Sequence, residues 1–387
     1  MKAIVNTKLI LMDRIIWDGV VLFEGGKILR AGPAGEVSVP ENCERIDAGG
    51  LYTGPGFVDI HTHGGGGHWF HEEPVEAAAH FLSHGETFIL PALYFSLTLE
   101  GYLEGIRCIR GAMEQGQGPA RAIGGIYMEG PYLNPGYGAD KLNNPWQGPP
   151  DPKQYMALLE AGRDLFKVHC VAPERDGVED FVRAAAGPGV VFSVAHSEAY
   201  PDRIEPLFRY GLRLITHFND ATGAVVRYPE VRGVGPDEMA LLQSDMYTEL
   251  ICDSRGVHVD PWMLRMVLKV KDRERIILIS DSTEFNGPDP VTFEPAPDLR
   301  YDFDEQIAGT CLTMDAACRN MMQHTGAGLC DVFRFAALNP ATLLGMQYEI
   351  GSIREGARAN LVVVDDTVTV KRVFLEGEEI HPALTPL

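Results

Sequence analysis

His61-Thr62-His63 closes the apolar run Gly56-Phe57-Val58-Asp59-Ile60 and is followed by four glycines. Side chains at i and i+2 leave the same face of an extended strand, so the two imidazoles can converge on one point while Thr62 faces away. That is the geometry of a metal pincer, and further ligand types recur downstream. Glu129 follows the run 123–128, His196 follows 190–195, His217 follows 212–216 and Asp281 follows 276–280. Each of these polar residues stands just past an apolar stretch. Imidazole and carboxylate together suit zinc, iron, manganese or cobalt. Calcium and magnesium prefer oxygen ligands and fit this set poorly.

The elements that must position these groups are legible from periodicity. Short apolar runs at 56–60, 87–91, 123–128, 167–171, 190–195, 212–216, 248–252 and 276–280 alternate with helical stretches such as 74–82 and 151–159. About eight β/α alternations predict an α/β chain whose residues 53–345 form a (β/α)8, TIM-like barrel, although a doubly wound sheet shares the periodicity. In such a barrel the catalytic groups sit where strands run into the following loops. Residues 1–52 and 346–387 read instead as short strands broken by turns, such as 20–24 and 28–32 around Gly25-Gly26 and, at the far end, 360–365 and 370–377. Together the termini predict one small β-sandwich domain.

Composition narrows the class. With 387 residues and 45 % hydrophobic content the chain can bury a sizeable core. A formal net charge of −21 argues against nucleic acid or an anionic membrane as partner. No apolar segment reaches the length of a membrane span, and the first residues lack a secretory h-region, so a cytoplasmic protein is expected. The seven cysteines form no CxxC pair and are expected to be reduced thiols.

The motifs Gly54-Pro55-Gly56-Phe57-Val58-Asp59-Ile60-His61-Thr62-His63, Met128-Glu129-Gly130-Pro131, Ala195-His196-Ser197, Thr216-His217-Phe218-Asn219, Gly256-Val257-His258 and Ser280-Asp281, in this order, resemble the amidohydrolase superfamily. Within it they are similar to the N-acetylglucosamine-6-phosphate deacetylases. The resemblance implies that Glu129, His196 and His217 hold the principal metal, with His61 and His63 completing a second site or helping to bind the first ion. One or two divalent ions are implied, zinc foremost and iron, manganese or cobalt as alternatives. It implies Asp281 as the catalytic carboxylate that takes a proton from water and passes it to the departing amine, with a merely orienting role as the alternative. His258 is implied to contact the sugar. Backbone amides at Asn219, Asp220 and Ala221, with Arg227 or Arg232, are implied to grip a phosphate, and a homodimer is expected.

Three positions depart from the family pattern. Asp220 replaces a common asparagine, Asp140 stands where a substrate-facing histidine is usual, and Asp253-Ser254-Arg255-Gly256 stretches a usual Asp-Gly. A carboxylate at 220 would repel a phosphate by about 1 kcal/mol per charge at 4 Å in water. The expected function is therefore metal-dependent removal of acetyl from an N-acetylated amino sugar, foremost N-acetylglucosamine 6-phosphate. Asp140 and Asp220 motivate the alternative of another N-acyl substrate, such as an N-acyl amino acid or an unphosphorylated acetamido sugar. A non-catalytic scaffold is the alternative of another class, and the complete ligand set speaks against it.

Overall fold

The computed structural model describes residues 1–291 and 294–380, so the last part of the expected C-terminal segment, 381–387, lies outside the described residues. Eight parallel strands follow one another in chain order: β1 (Phe57–Thr62), β2 (Glu86–Tyr94), β3 (Ile126–Glu129), β4 (Phe166–Val171), β5 (Val191–Val194), β6 (Leu212–Ile215), β7 (Tyr247–Ile251) and β8 (Ile276–Ile279). Each pairs with its neighbour in the sheet. The ends of β1 and β8 then meet: Asp281 N–H donates to the His61 carbonyl at 2.9 Å, and His63 N–H to the Ser282 carbonyl at 2.8 Å. This closure makes the expected (β/α)8 barrel.

Alternation along the strands sorts side chains into two cores. Leu90, Tyr127, Cys170, Leu214 and Ile279 pack in one, while Ile89, Met128, Phe192, Ile215 and Leu278 pack in the layer shared with the helices. The helices begin where the sequence supplies starts. Thr98 and Asp151 accept backbone N–H groups of the first turn, and proline opens the helices at Pro74, Pro152 and Pro261. The barrel is thus a rigid frame whose strand ends share one rim.

Both termini build one eight-stranded sheet, with Lys2–Ile10 running beside Glu44–Asp47 along its first half and beside Tyr52–Pro55 along its second. Ile4, Val21, Phe23, Ile46, Leu361 and Phe374 meet in its core. Tyr52–Pro55 also forms an antiparallel ladder with Leu361–Val364. Thr53 to Pro55, at the expected start of the barrel segment, spend their backbone pairing on the terminal sheet. All seven cysteines are free. Among the described residues no helix is long and apolar enough to cross a membrane.

Candidate metal centre

Three of the strand-end residues reach the rim through a reversed backbone. His196, His217 and Asp281 each stand two residues beyond a strand and have φ of 42°, 28° and 46°. This left-handed region costs an ordinary residue about 1–3 kcal/mol and persists only where surrounding contacts fix it. At Asp281 the contacts are visible: its N–H bonds to His61 and its carbonyl accepts Thr310 N–H at 2.9 Å. The three residues that take this strained backbone at the strand ends are all chemically competent.

Two triads result, Glu129 with His196 and His217, and His61 with His63 and Asp281, the ligand atoms within each lying no more than 4.8 Å apart. Glu129 Oε1 lies 2.8 Å from His196 Nε2 and 3.2 Å from His217 Nε2, and those two nitrogens are 3.1 Å from each other. Three such atoms crowd around one point, which a cation held at about 2 Å by each would fill. His63 Nε2 lies 3.2 Å from Asp281 Oδ1 and 3.3 Å from Glu129 Oε2, so Glu129 spans both triads. His61 Nε2, buried and without a hydrogen-bond partner, lies 3.7 Å from Asp281 Oδ1. A buried nitrogen with nothing to bond, beside a carboxylate oxygen, fits a borderline divalent ion.

Outer contacts fix two of the rings. His217 Nδ1 lies 3.1 Å from the Asp220 carbonyl, and His61 Nδ1 lies 3.3 Å from Glu249 Oε2. Each contact leaves Nε2 facing its triad. Burial alone would raise the Glu129 carboxyl, yet hydrogen bonds from His196 and His217 outweigh it and hold that group well below its ordinary value. Burial would likewise lower His217, but the Glu129 bond and the charges of Asp220, Glu129 and Asp281 lift it to about 10. Asp281 is pulled below its ordinary value, since the His63 bond and both imidazole charges overcome its burial.

A cavity of about 380 Å³ opens on this cluster. Glu129, His63, His196, His217 and Asp281 form part of its lining, with Tyr94, Phe95 and Phe285 as aromatic walls. Gly138 closes over His196: a Cβ there would lie 2.5 Å from His196 Nδ1, and φ is +89°. Asp140, Asp220 and Glu305 also line the cavity, and Lys141 is the cation among the described lining residues.

Of the expected substrate contacts, Asp140, Asp220 and Ala221 line the cavity and three others do not. Asn219 is turned aside by its own φ of 69° and held by Asp237 at 3.2 and 3.3 Å. Arg227 stacks over the Tyr200 ring at 3.7 Å. His258 is buried with Nδ1 3.5 Å from Asp253. Arg232 and Arg255 are engaged as well, each 2.8 Å from a glutamate, Glu238 and Glu294. Sequence reasoning missed Glu249, although a carboxylate inside the apolar strand β7 was a usable signal. It also missed Lys141, Tyr94 and Phe285, which nothing in their neighbourhoods distinguishes from loop or core residues.

Barrel, strand-end triads and metal-suited donors together define a metal-dependent hydrolase, and the chain belongs to the amidohydrolase family, whose model matches residues 53–380. That membership decides for an enzyme over a scaffold. Among curated proteins it is similar to N-acetylgalactosamine-6-phosphate deacetylase of Escherichia coli O157:H7, 28 % identical over 84 % of this chain and 86 % of that protein. N-acetylglucosamine-6-phosphate deacetylase of Haemophilus influenzae is 26 % identical over 97 % of this chain and 98 % of its own. The solved N-acetyl-D-glucosamine-6-phosphate deacetylase of Mycobacterium smegmatis superposes with a TM-score of 0.83 at 27 % identity, covering 98 % of this chain and 100 % of that one. A mutant of that enzyme has been solved in complex with N-acetyl-D-glucosamine-6-phosphate.

Proposed function

We propose that this chain hydrolyses the acetamide of an N-acetylated amino sugar, foremost N-acetylglucosamine 6-phosphate, releasing acetate and the amino sugar phosphate. The convergence of Glu129, His196 and His217 beside Asp281 on one cavity carries the reading. The relatives named for deacetylation of amino sugar 6-phosphates supply the substrate. Glu129, His196 and His217 would hold one ion and His61, His63 and Asp281 a second, zinc being the first choice for this donor set. When bound, the ion supplies a Lewis acid for the carbonyl and acidifies water at the site.

The remaining steps belong to the protein. Asp281 stays ionised beside the two imidazoles and can take the proton of the attacking water. It returns that proton to the amine nitrogen, which is too basic to leave unprotonated. Tyr94, Phe95 and Phe285 give the sugar an apolar wall and keep bulk water away. A homodimer is carried over from the family resemblance, and light scattering tests it.

A second reading, an unphosphorylated acetamido sugar, is favoured by one observation. Three carboxylates, Asp140, Asp220 and Glu305, share the lining with the single ammonium of Lys141. Acetate release by metal-loaded protein decides between them. Turnover of N-acetylglucosamine 6-phosphate well above that of N-acetylglucosamine supports the phosphate, the reverse order supports the second reading, and no acetate from either sinks both.

A further inference from the structure

Among the buried charges that the mechanism above does not use, one touches both triads. Glu249, in the middle of β7, is fully buried in the barrel interior, away from the cavity lining. A carboxylate there needs partners to offset its lost hydration, and its partners are specific. Oε2 lies 3.3 Å from His61 Nδ1, a member of one triad. The same oxygen accepts the backbone N–H of His217, a member of the other triad, also at 3.3 Å. Both oxygens accept the Tyr127 hydroxyl at 3.2 Å. The Tyr127 ring in turn stacks on His61 with centroids 4.2 Å apart. Thr216 Oγ1, 2.7 Å from the Tyr127 hydroxyl, anchors that hydroxyl from the far side.

We propose that Glu249 is a positioning residue that sets the His61 tautomer and ties the two triads together. Accepting from Nδ1–H leaves the Nε2 lone pair of His61 aimed at Asp281, where an ion would sit. Accepting from the His217 N–H fixes the backbone that carries this histidine of the other triad through its left-handed turn. One rigid carboxylate thus holds the spacing between two half-sites that lie on different strands. This role rests on the metal reading above, and it adds a residue that neither touches substrate nor lines the cavity.

The test is metal stoichiometry and affinity in the full chain, with cobalt and zinc as probes and a competing chelator, independent of turnover. In Glu249→Gln the shape is kept, but the amide no longer presents two carboxylate oxygens to three donors. The ion held by His61 should bind about 10–100-fold more weakly, the usual scale for loss of an outer partner of a ligand. The ion held by Glu129 and His196 should change less. Glu249→Asp, which keeps the charge but withdraws it from Nδ1, should weaken the same ion and serves if the glutamine variant does not fold. Adding Glu249→Gln to His61→Ala should then produce little further loss at the ion of the His61 triad, since the effect on that ion runs through His61. Full and unchanged loading of both ions in a folded variant, or weakening confined to the ion held by Glu129 and His196, overturns the role. A wild-type chain that binds no metal overturns instead the metal reading on which it rests.

Discussion

Replacing Asp281 by asparagine separates the chemistry of that residue from its backbone. Asp281 Oδ1 lies 3.2 Å from His63 Nε2 and 3.7 Å from His61 Nε2, and the residue sits at φ 46°. Asparagine matches the shape, tolerates the left-handed region and still offers an acceptor oxygen, so the fold and the rim should persist. It cannot carry a proton between water and amine. General acid–base catalysis is worth about 10²–10⁴-fold, so kcat should fall by that factor, about 2.7–5.4 kcal/mol of barrier. Asp281→Ala should lose the same chemistry and, in addition, about 1–2 kcal/mol of stability from the left-handed backbone. The assay is acetate release at saturating metal, with metal content and thermal unfolding measured on the same preparations. This assay has one refuting result: Asp281→Asn with kcat within threefold of wild type and normal metal content means that another group moves the proton.

His61→Ala with His63→Ala should remove one triad and lower bound metal by one equivalent, while acetate release persists at a reduced rate; complete inactivity with one ion still bound would show that the triads are ranked wrongly. In chelator-treated protein, His217 has a folded value of about 10 against 6.5 unfolded, so its contribution to stability is full below pH 6.5 and lost as pH rises towards 10. The unfolding temperature of that form should fall over this window, and zinc-loaded protein should not follow it, because a bound ion takes the place of the proton; a flat profile for the chelated form refutes the assignment. Asp220→Asn should lower KM for N-acetylglucosamine 6-phosphate while leaving KM for N-acetylglucosamine nearly unchanged, since a carboxylate near a phosphate costs about 1–4 kcal/mol at 4 Å depending on solvent access. Equal shifts for both sugars would show that Asp220 does not face the phosphate.

Much of this protein is written locally in its sequence. The period-2 and period-3.6 patterns are short-range, so eight strands, their helices and the terminal β domain were all legible, as was the convergence of His61 and His63 from one extended strand. The polar residues after each strand pointed to the rim because parallel strands of a barrel end on one face. Boundaries were less legible: Tyr52–Pro55 carries no mark of which sheet it joins, and its pairing with Lys8 and Leu9 and with the distant Leu361–Val364 decides it.

What required the tertiary structure is everything that depends on closure. Glu129 can touch His63 only because β1 and β3 share a rim, and Asp281 can reach both histidines of the pincer only because β8 returns beside β1. The sequence also could not separate Arg227, stacked on Tyr200, from Lys141, which faces the cavity, since both are cations in loops. Glu249 is the sharpest case. Its carboxylate stands within a strand of otherwise unremarked residues, and its meaning lies wholly in His61, Tyr127 and His217, partners on or just past three other strands that folding alone brings within hydrogen-bond reach.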